Sequence, residues 1–361
     1  NATYSAPIQV NAAANSAFRQ IEPALNQFIE AQTNKISGPL DPLPSELQDY
    51  LRRHQNEITA IRTHILDHPD PKWDMNIALM AESDYPAPGF FNVRSVQKLL
   101  LLQTIDAHHQ AKPAELHSTL EATWQLNQAI AQRSDLSSQV SVSVISVQQA
   151  SILRHLPNIP HHWRTRLREQ SQQQPIMKGV QFETWLWYET AKASWIPEVM
   201  PAPTASMIEK LQAALTNRIS PQTYFKLLSV DNTKAVQQAL NQLTKINICT
   251  TSQLQAETML SGIQTATWNK REAVPATSMA KRWQTAGNRI LALELSEYVL
   301  EAKQQRQETG EWPVTIPPKA SQICPTEQWT YQRTEDGNIL SFSKRLLSPT
   351  AIPLIYRGMQ P

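Results

Sequence analysis

The chain has 361 residues, of which 41% are hydrophobic, and its 33 basic and 31 acidic residues leave a net charge of +2. This hydrophobic fraction suffices for a packed core and excludes wholesale disorder, while the nearly balanced charge argues against a dedicated nucleic-acid binder. The eight glycines are dispersed along the chain, which excludes P-loops, dinucleotide fingerprints and G-x-S-x-G elbows, because these motifs need closely spaced glycines.

Near the N-terminus, apolar residues recur every three or four positions, which predicts amphipathic helices. A first stripe runs from Phe18 to Phe28. A second helix is predicted from Ser45 to Asp67, beginning at a capping box formed by Ser45 and Gln48. The proline-rich stretch 85–89 marks a domain boundary. We therefore predict an N-terminal helical region, 1–84.

The central region, 85–275, is predicted to be a repeat-like body of helices whose linkers are marked by prolines. Segment 138–156 is ambiguous, because Val140, Val142 and Val144 alternate with serines as residues do in a strand. The predicted elements on both sides are helical, and a lone strand would have no partner to pair with. We therefore predict a helix for this segment.

The C-terminal region, 276–361, is predicted to begin with a long helix. Its buried stripe ends near Ala302, and 303–307 are predicted to continue it as an exposed turn. Gly310 can take the left-handed conformation that ends helices, and Pro313 cannot continue one. The predicted fold class is therefore mainly α: a repeat-like array of helical hairpins with a small C-terminal β-hairpin appendage.

The hairpin prediction rests on an alternating pattern. Polar residues alternate with Trp329, Tyr331 and Arg333. After the turn pair Asp336-Gly337, they alternate in the same way with Leu340 and Phe342. The two cysteines, Cys249 and Cys324, fit either a reduced protein or one bridge in an oxidising compartment. A bridge between them would attach the hairpin to the helical body.

The order of these C-terminal parts resembles a broad group of uncharacterised bacterial envelope proteins. The shared pattern is a helix reading A-L-x-L-x-x-Y, then G-x-[WY]-P, and then a hairpin around Y-x-R-x-x-D-G. The matching residues are Ala292, Leu293, Leu295, Tyr298, Gly310, Trp312, Pro313, Tyr331, Arg333, Asp336 and Gly337. The tail is also similar to that of pseudopilins, and the helices within 94–130 resemble tetratricopeptide repeats.

The resemblance implies a periplasmic protein, or a membrane-anchored one whose soluble part lies outside the cytoplasm. Members of the group often carry an N-terminal membrane segment. The chain begins at Asn1, which favours a processed or trimmed form from which such an anchor has been removed. The resemblance implies no catalytic residue, because its motifs are structural.

Histidines supply the candidate metal ligands. His64 and His68 lie four residues apart and could contact one ion on a helix face, although a helix end explains them equally well. His108, His109 and His117 surround a predicted turn. The alternative to metal binding is that histidines in the last turn of a helix interact favourably with the helix dipole. We predict no metal site and no cofactor.

Three glutamates close together in the sequence could supply a pair for acid–base chemistry: Glu183, Glu189 and Glu198. The alternative is that they are solvated on helix surfaces, because nothing in the sequence fixes a pair. Arginines 164, 166 and 168 form a local basic cluster. They either meet an acidic partner or lie in a solvated face.

An aromatic group is the strongest candidate for partner binding. Trp185, Trp187 and Tyr188 lie on one predicted helix, and Trp163 precedes them by a short stretch. Aromatic side chains on the open side of a helical array are common binding anchors. The alternative for all four is packing in the core.

These observations favour a non-enzymatic scaffold of the bacterial cell envelope that binds a protein or peptide partner and no nucleic acid. A hydrolase whose site is assembled from distant residues is the competing hypothesis, and a structural element of a secretion or pilus-like assembly is a third. A buried polar cleft with a strongly shifted His or Glu would favour the enzyme. A concave apolar strip would favour the scaffold.

Overall fold

The structure, a computed structural model, describes residues 12–69, 90–172, 175–193, 206–210, 221–263, 276–343 and 353–359. The fold is mainly helical, with a small antiparallel sheet at the C-terminal end, as the sequence predicts. The predicted domain boundaries fall within 70–89 and at 275, which lie outside the described residues.

The helices are numbered here in chain order, and most helix ends coincide with the prolines and polar caps that the sequence places there. Their bounds are α1 Ala12–Thr33, α2 Ser45–Arg53, α3 Gln55–Asp67, α4 Phe90–His109, α5 Pro113–Ala131, α6 Leu136–His155, α7 His162–Ser171, α8 Pro175–Ala193, α9 Pro221–Leu243, α10 Gln253–Ser261 and α11 Ala276–Thr309.

The predicted helix from Ser45 to Asp67 is divided in two at His54. The His54 ring packs on Tyr50, with ring centroids 4.5 Å apart, and the chain changes direction there. The predicted capping box does not form, because the Gln48 side chain instead donates to the carbonyl oxygen of Leu43 at 2.9 Å. Both helices pack in one cluster through Leu47 and Ile58, and α3 also reaches a second cluster through Ile65.

Segment 138–156 lies almost entirely in α6, so the helix prediction is confirmed. Serines are compatible with a buried helix when their hydroxyls find acceptors in the preceding turn. Ser141, Ser143 and Ser146 donate to carbonyl oxygens four residues earlier, at 2.7 to 3.0 Å. The helix begins at Asp135, whose carboxylate accepts from the backbone N–H of Ser138 at 2.9 Å.

Helix α11 runs through the centre of the molecule. Every residue from Ile290 to Leu300 is buried, so this stretch is surrounded by protein on all sides. Leu293 and Leu300 pack with the N-terminal helices. Leu291 and Tyr298 pack in the cluster that also contains the sheet.

The C-terminal sheet has four antiparallel strands in the order β1-β2-β3-β4, with bounds Lys319–Ala320, Gln328–Thr334, Gly337–Phe342 and Ile355–Met359. The predicted hairpin is β2–β3. Its turn differs by one residue from the prediction, because Gly337 already pairs with Thr334 and takes a positive φ of 147°. A Cβ at position 337 would lie 1.9 Å from the carbonyl oxygen of Gly358 in β4. Only glycine therefore lets β4 pair with β3 at this position.

The residues of the predicted C-terminal motif fasten the sheet to α11. Gly310 has a φ of 81° and ends the helix, as predicted. The hydroxyl of Tyr298 donates to the carbonyl oxygen of Pro317 at 3.0 Å, and that of Tyr331 donates to Pro313 at 2.6 Å. Both tyrosines therefore fix the loop between helix and sheet.

The prediction of an exposed turn over 303–307 is wrong for its first four residues, which are half-buried. Strand β4 packs beside this turn: Arg306 Nη1 donates to the carbonyl oxygen of Met359 at 3.4 Å. The backbone N–H of Arg357 in turn bonds to the carbonyl oxygen of Ile36 at 2.7 Å. Distant segments therefore cover a turn that looks solvent-exposed in the sequence.

Candidate functional site

A groove of about 380 Å³ runs between α8 and α9. Trp185 from α8 and Val230, Val236 and Leu240 from α9 supply most of its surface, which is predominantly apolar. Glutamine and threonine side chains and Lys234 lie among the lining residues. This arrangement of apolar walls with polar groups is typical of a surface that binds another polypeptide.

Trp185 is exposed to 40%, which is high for a side chain of this size. Its ring lies 5.7 Å from that of Phe182, one turn earlier. On α9, Leu227 and Val230 are exposed to 49% and 43%. A rigid aromatic side chain beside exposed aliphatic ones is what anchors a partner at many interfaces.

Trp163 lies elsewhere, in the core. It is 2% exposed and packs edge-on against Trp124, with centroids 5.7 Å apart. The Arg166 guanidinium lies 5.0 Å from the ring centroids of both tryptophans. For Trp163 the structure thus matches the core-packing alternative. The side chains of the other two predicted anchors, Trp187 and Tyr188, lie outside the described residues.

The three arginines of α7 are paired inside the molecule. Arg164 pairs with Glu301 at 2.5 Å, and Arg168 pairs with Glu297 at 2.6 Å, both on α11. Arg166 makes two hydrogen bonds to Glu121 of α5, at 2.6 and 3.0 Å. They connect helices and do not form a basic rim.

The histidine candidates are placed at helix ends. His68 Nδ1 lies 2.8 Å from the carbonyl oxygen of His64, and the two rings stack with centroids 4.4 Å apart. His108 and His109 end α4, with ring centroids 5.2 Å apart, and His117 is exposed on α5. Within the described ranges, no three His, Cys, Asp or Glu side chains converge as metal ligands do.

Of the three glutamate candidates, only the Glu183 side chain is described. Burial raises its pKa, and the charge of Arg282 acts in the opposite direction. Two glutamates that the sequence did not single out, Glu294 and Glu297, are more deeply buried. Trp329 Nε1 donates to Glu294 at 2.8 Å. Both point into the interior, where their contacts join α11 to the sheet.

A disulfide joins Cys249, in the loop after α9, to Cys324, between β1 and β2. Both residues are fully buried, and their Cα atoms are 6.0 Å apart. The bridge attaches the sheet to the helical body across a sequence separation of 75 residues.

No helix in the described ranges combines the length and apolar character that a membrane crossing requires. Comparisons of the chain with protein families, with curated proteins and with solved structures found no match. The resemblance to bacterial envelope proteins therefore stays a prediction, and the site has to be interpreted from its own geometry.

The sequence analysis identified Trp185 but missed the α9 wall of the groove. The sequence did contain a pattern that predicts this wall: Val230, Lys234 and Gln237 recur at helical spacing, so one helix face carries both apolar and polar residues. Periodicity shows that such residues share a face. It does not show that α8 lies beside that face, which only the tertiary packing establishes.

Proposed function

We propose that the chain is a non-enzymatic scaffold that binds a protein partner in the groove between α8 and α9. The observation that carries the proposal is the exposure of Trp185 in a groove that it shares with the exposed Val230 of the neighbouring helix. Burying such a cluster against a partner gains hydrophobic free energy that the free protein does not realise.

The chemistry of the groove favours an amphipathic helix of the partner as its occupant. Two neighbouring helices leave a depression into which the apolar face of a third helix can pack. Lys234 at the lining favours an acidic residue next to that apolar face. The partner segment is thus expected to combine large apolar residues at helical spacing with at least one Asp or Glu.

A location outside the cytoplasm belongs to the same proposal. Disulfides persist in oxidising compartments and are rare in the cytosol, and the Cys249–Cys324 bridge is buried in the protein core. Together with the resemblance of the C-terminal motif, this supports a periplasmic or membrane-anchored scaffold of the cell envelope.

The hydrolase hypothesis depends on a shifted titratable group in a cleft, and His155 is the clearest case. Burial lowers its pKa to about 4, opposed by hydrogen bonds to backbone carbonyls. Its two ring nitrogens lie 2.8 and 3.0 Å from the carbonyl oxygens of Gly38 and Lys35. The neutral ring can donate to only one of these oxygens, but backbone lies against both nitrogens. His155 therefore connects α6 to the loop after α1 and is a poor general base.

Selection of helical peptides from a displayed library would test the scaffold. Peptides enriched on the wild-type protein should be amphipathic and acidic, and Trp185→Ala should weaken their binding by about 30-fold, the loss typical of an interface hot spot. Fluorescence anisotropy of labelled peptides would measure the dissociation constants.

Leu254→Ala is the control, because Leu254 is an even more exposed apolar residue, on α10 and outside the groove. It should leave peptide affinity unchanged. Enriched peptides that bind the Trp185→Ala protein as tightly as the wild type would contradict the proposal, as would a selection that enriches none.

A further inference from the structure

A second cavity, of about 520 Å³, lies where five distant parts of the chain meet. Its walls come from the loop after α1, the end of α4, the loop after α6, the last turns of α11 and strand β4. We call it the basic pocket, because Lys303, Arg306 and Arg357 are among its lining residues.

The three cations of the basic pocket keep unused donors. Lys303 Nζ donates to the carbonyl oxygens of Arg154 and Leu156, the latter at 2.9 Å, which leaves one of its three N–H bonds. Arg306 uses one donor on Met359, and its guanidinium lies 4.5 Å from the ring centroid of Trp312. Among the described residues, the Arg357 side chain has no hydrogen-bond partner.

Within the part of the chain that the structure describes, no carboxylate balances these charges. The lining residues include neither Asp nor Glu, and within the described ranges none of the three cations forms an ion pair. Burial, and to a smaller extent the charge of Arg306, lower the pKa of Lys303 to about 7. Removing cations from water without a counter-charge costs free energy that a bound anion would recover.

Aromatic side chains form the rest of the wall. Tyr356 lies beneath Lys303, with the ammonium 5.7 Å from its ring centroid, and Trp312 lies beneath Arg306. The volume is within the range of about 300 to 1,000 Å³ of small-molecule sites. It far exceeds what an isolated inorganic anion needs, so the pocket has space for an organic group next to the aromatic rings.

We propose that the basic pocket binds a small organic phosphate, whose phosphoryl group is held by Lys303 and Arg306 and whose organic part lies beside Trp312 and Tyr356. Lys303 and Arg306, with Arg357 among the lining residues, match a dianionic phosphoryl group better than a single carboxylate. Arginine's planar fork suits phosphate oxygens, and the stacked Arg306 is already fixed in orientation. The site is independent of the groove between α8 and α9.

Isothermal titration calorimetry with three probes would test the site: phenyl phosphate, inorganic phosphate and benzoate. Phenyl phosphate should bind most tightly, because it alone combines the dianion with a ring. The double variant Arg306→Gln/Arg357→Gln should weaken its binding at least ten-fold. These two arginines are chosen because Lys303 also holds the backbone after α6, so its replacement would disturb the fold.

Arg52→Gln/Arg53→Gln is the control, because it removes two arginines that are 76% and 73% exposed on α2. It should bind phenyl phosphate like the wild type, as should Trp185→Ala. The proposal would be overturned if no probe bound saturably, if benzoate bound as tightly as phenyl phosphate, or if the Arg306→Gln/Arg357→Gln protein retained wild-type affinity.

Discussion

The Glu297 carboxylate is the most tightly paired acidic group on α11. Its side chain is 1% exposed and contacts Arg168 and Arg164 of α7 at 2.6 and 3.7 Å, and Lys319 of β1 at 2.5 Å. Burial alone raises its pKa, but hydrogen bonds and charges from Lys319 and Arg168 outweigh this and leave the pKa below the usual value. Glu297 therefore joins α7, α11 and the sheet through its charge.

Replacing Glu297 by Gln should lower the free energy of unfolding at pH 7 by about 2 kcal/mol. Removing one partner of a buried pair costs about 3 to 5 kcal/mol, and the loss is smaller here because the three cations are partly exposed and can turn to water. Urea denaturation of both proteins at pH 7 would measure the difference.

The pH dependence gives this prediction a definite sign. Because the folded-state pKa of Glu297 is lowered, its contribution is present above the unfolded-state pKa of about 4.3 and is lost as the pH falls through the folded-state value. The difference between wild type and Glu297→Gln should therefore shrink between pH 7 and pH 3. A difference that stays constant would show that the charge of Glu297 is not what stabilises the fold.

Glu308→Gln is the control for Glu297→Gln, because Glu308 is exposed on the same helix. It should have little effect on the free energy of unfolding.

At the scale of elements, α8 lies close against α6 at Gly179. A Cβ at this position would meet the Cα of Leu136 at 2.8 Å and the Cβ of Gln139 at 3.2 Å. Because the nearest of these atoms is backbone at the start of α6, it cannot move aside as a side-chain end can. This contact fixes the position of the helix that carries Trp185.

Gly179→Ala should destabilise the protein by about 1 kcal/mol. Alanine favours a helix interior by about 1 kcal/mol over glycine, but overpacking costs about 1 to 3 kcal/mol. Gly262→Ala is the matched control, because a Cβ there meets only the carbonyl oxygen of Met259, at 3.5 Å. It should be neutral or stabilising. The midpoints of urea denaturation would measure the stability of both variants. Equal effects of the two changes would argue against close packing at Gly179.

At the scale of the whole molecule, the Cys249–Cys324 disulfide is the covalent link between helical body and sheet. Crosslinking residues 75 positions apart restricts the unfolded chain, and such bridges contribute about 2 to 4 kcal/mol. The double variant Cys249→Ala/Cys324→Ala should lose about 3 kcal/mol of unfolding free energy, measured by urea denaturation without reductant.

Reductant supplies the control for this prediction. It should lower the stability of the wild type and leave the double variant unchanged, because only the wild type has a bond to reduce. If reductant left the wild type unchanged, the two thiols would not be bridged in solution, and the argument for an oxidising compartment would lose its support.

The sequence by itself determined the helical class, the helix over 138–156, the end of α11 at Gly310 and the hairpin β2–β3. These features depend on residues close together in the chain, whose periodicity and conformational preferences can be read directly. It also identified Trp185, because a large aromatic group on an amphipathic helix is conspicuous.

Only the tertiary structure decided which candidate residues meet. Trp163 and Trp185 look alike in sequence, yet one is buried and the other exposed, because burial depends on which distant helix packs alongside. The α9 wall of the groove and the basic pocket could not be predicted for the same reason. The pocket joins residues from Gly38 to Met359, and local pattern carries no information about contacts over such separations.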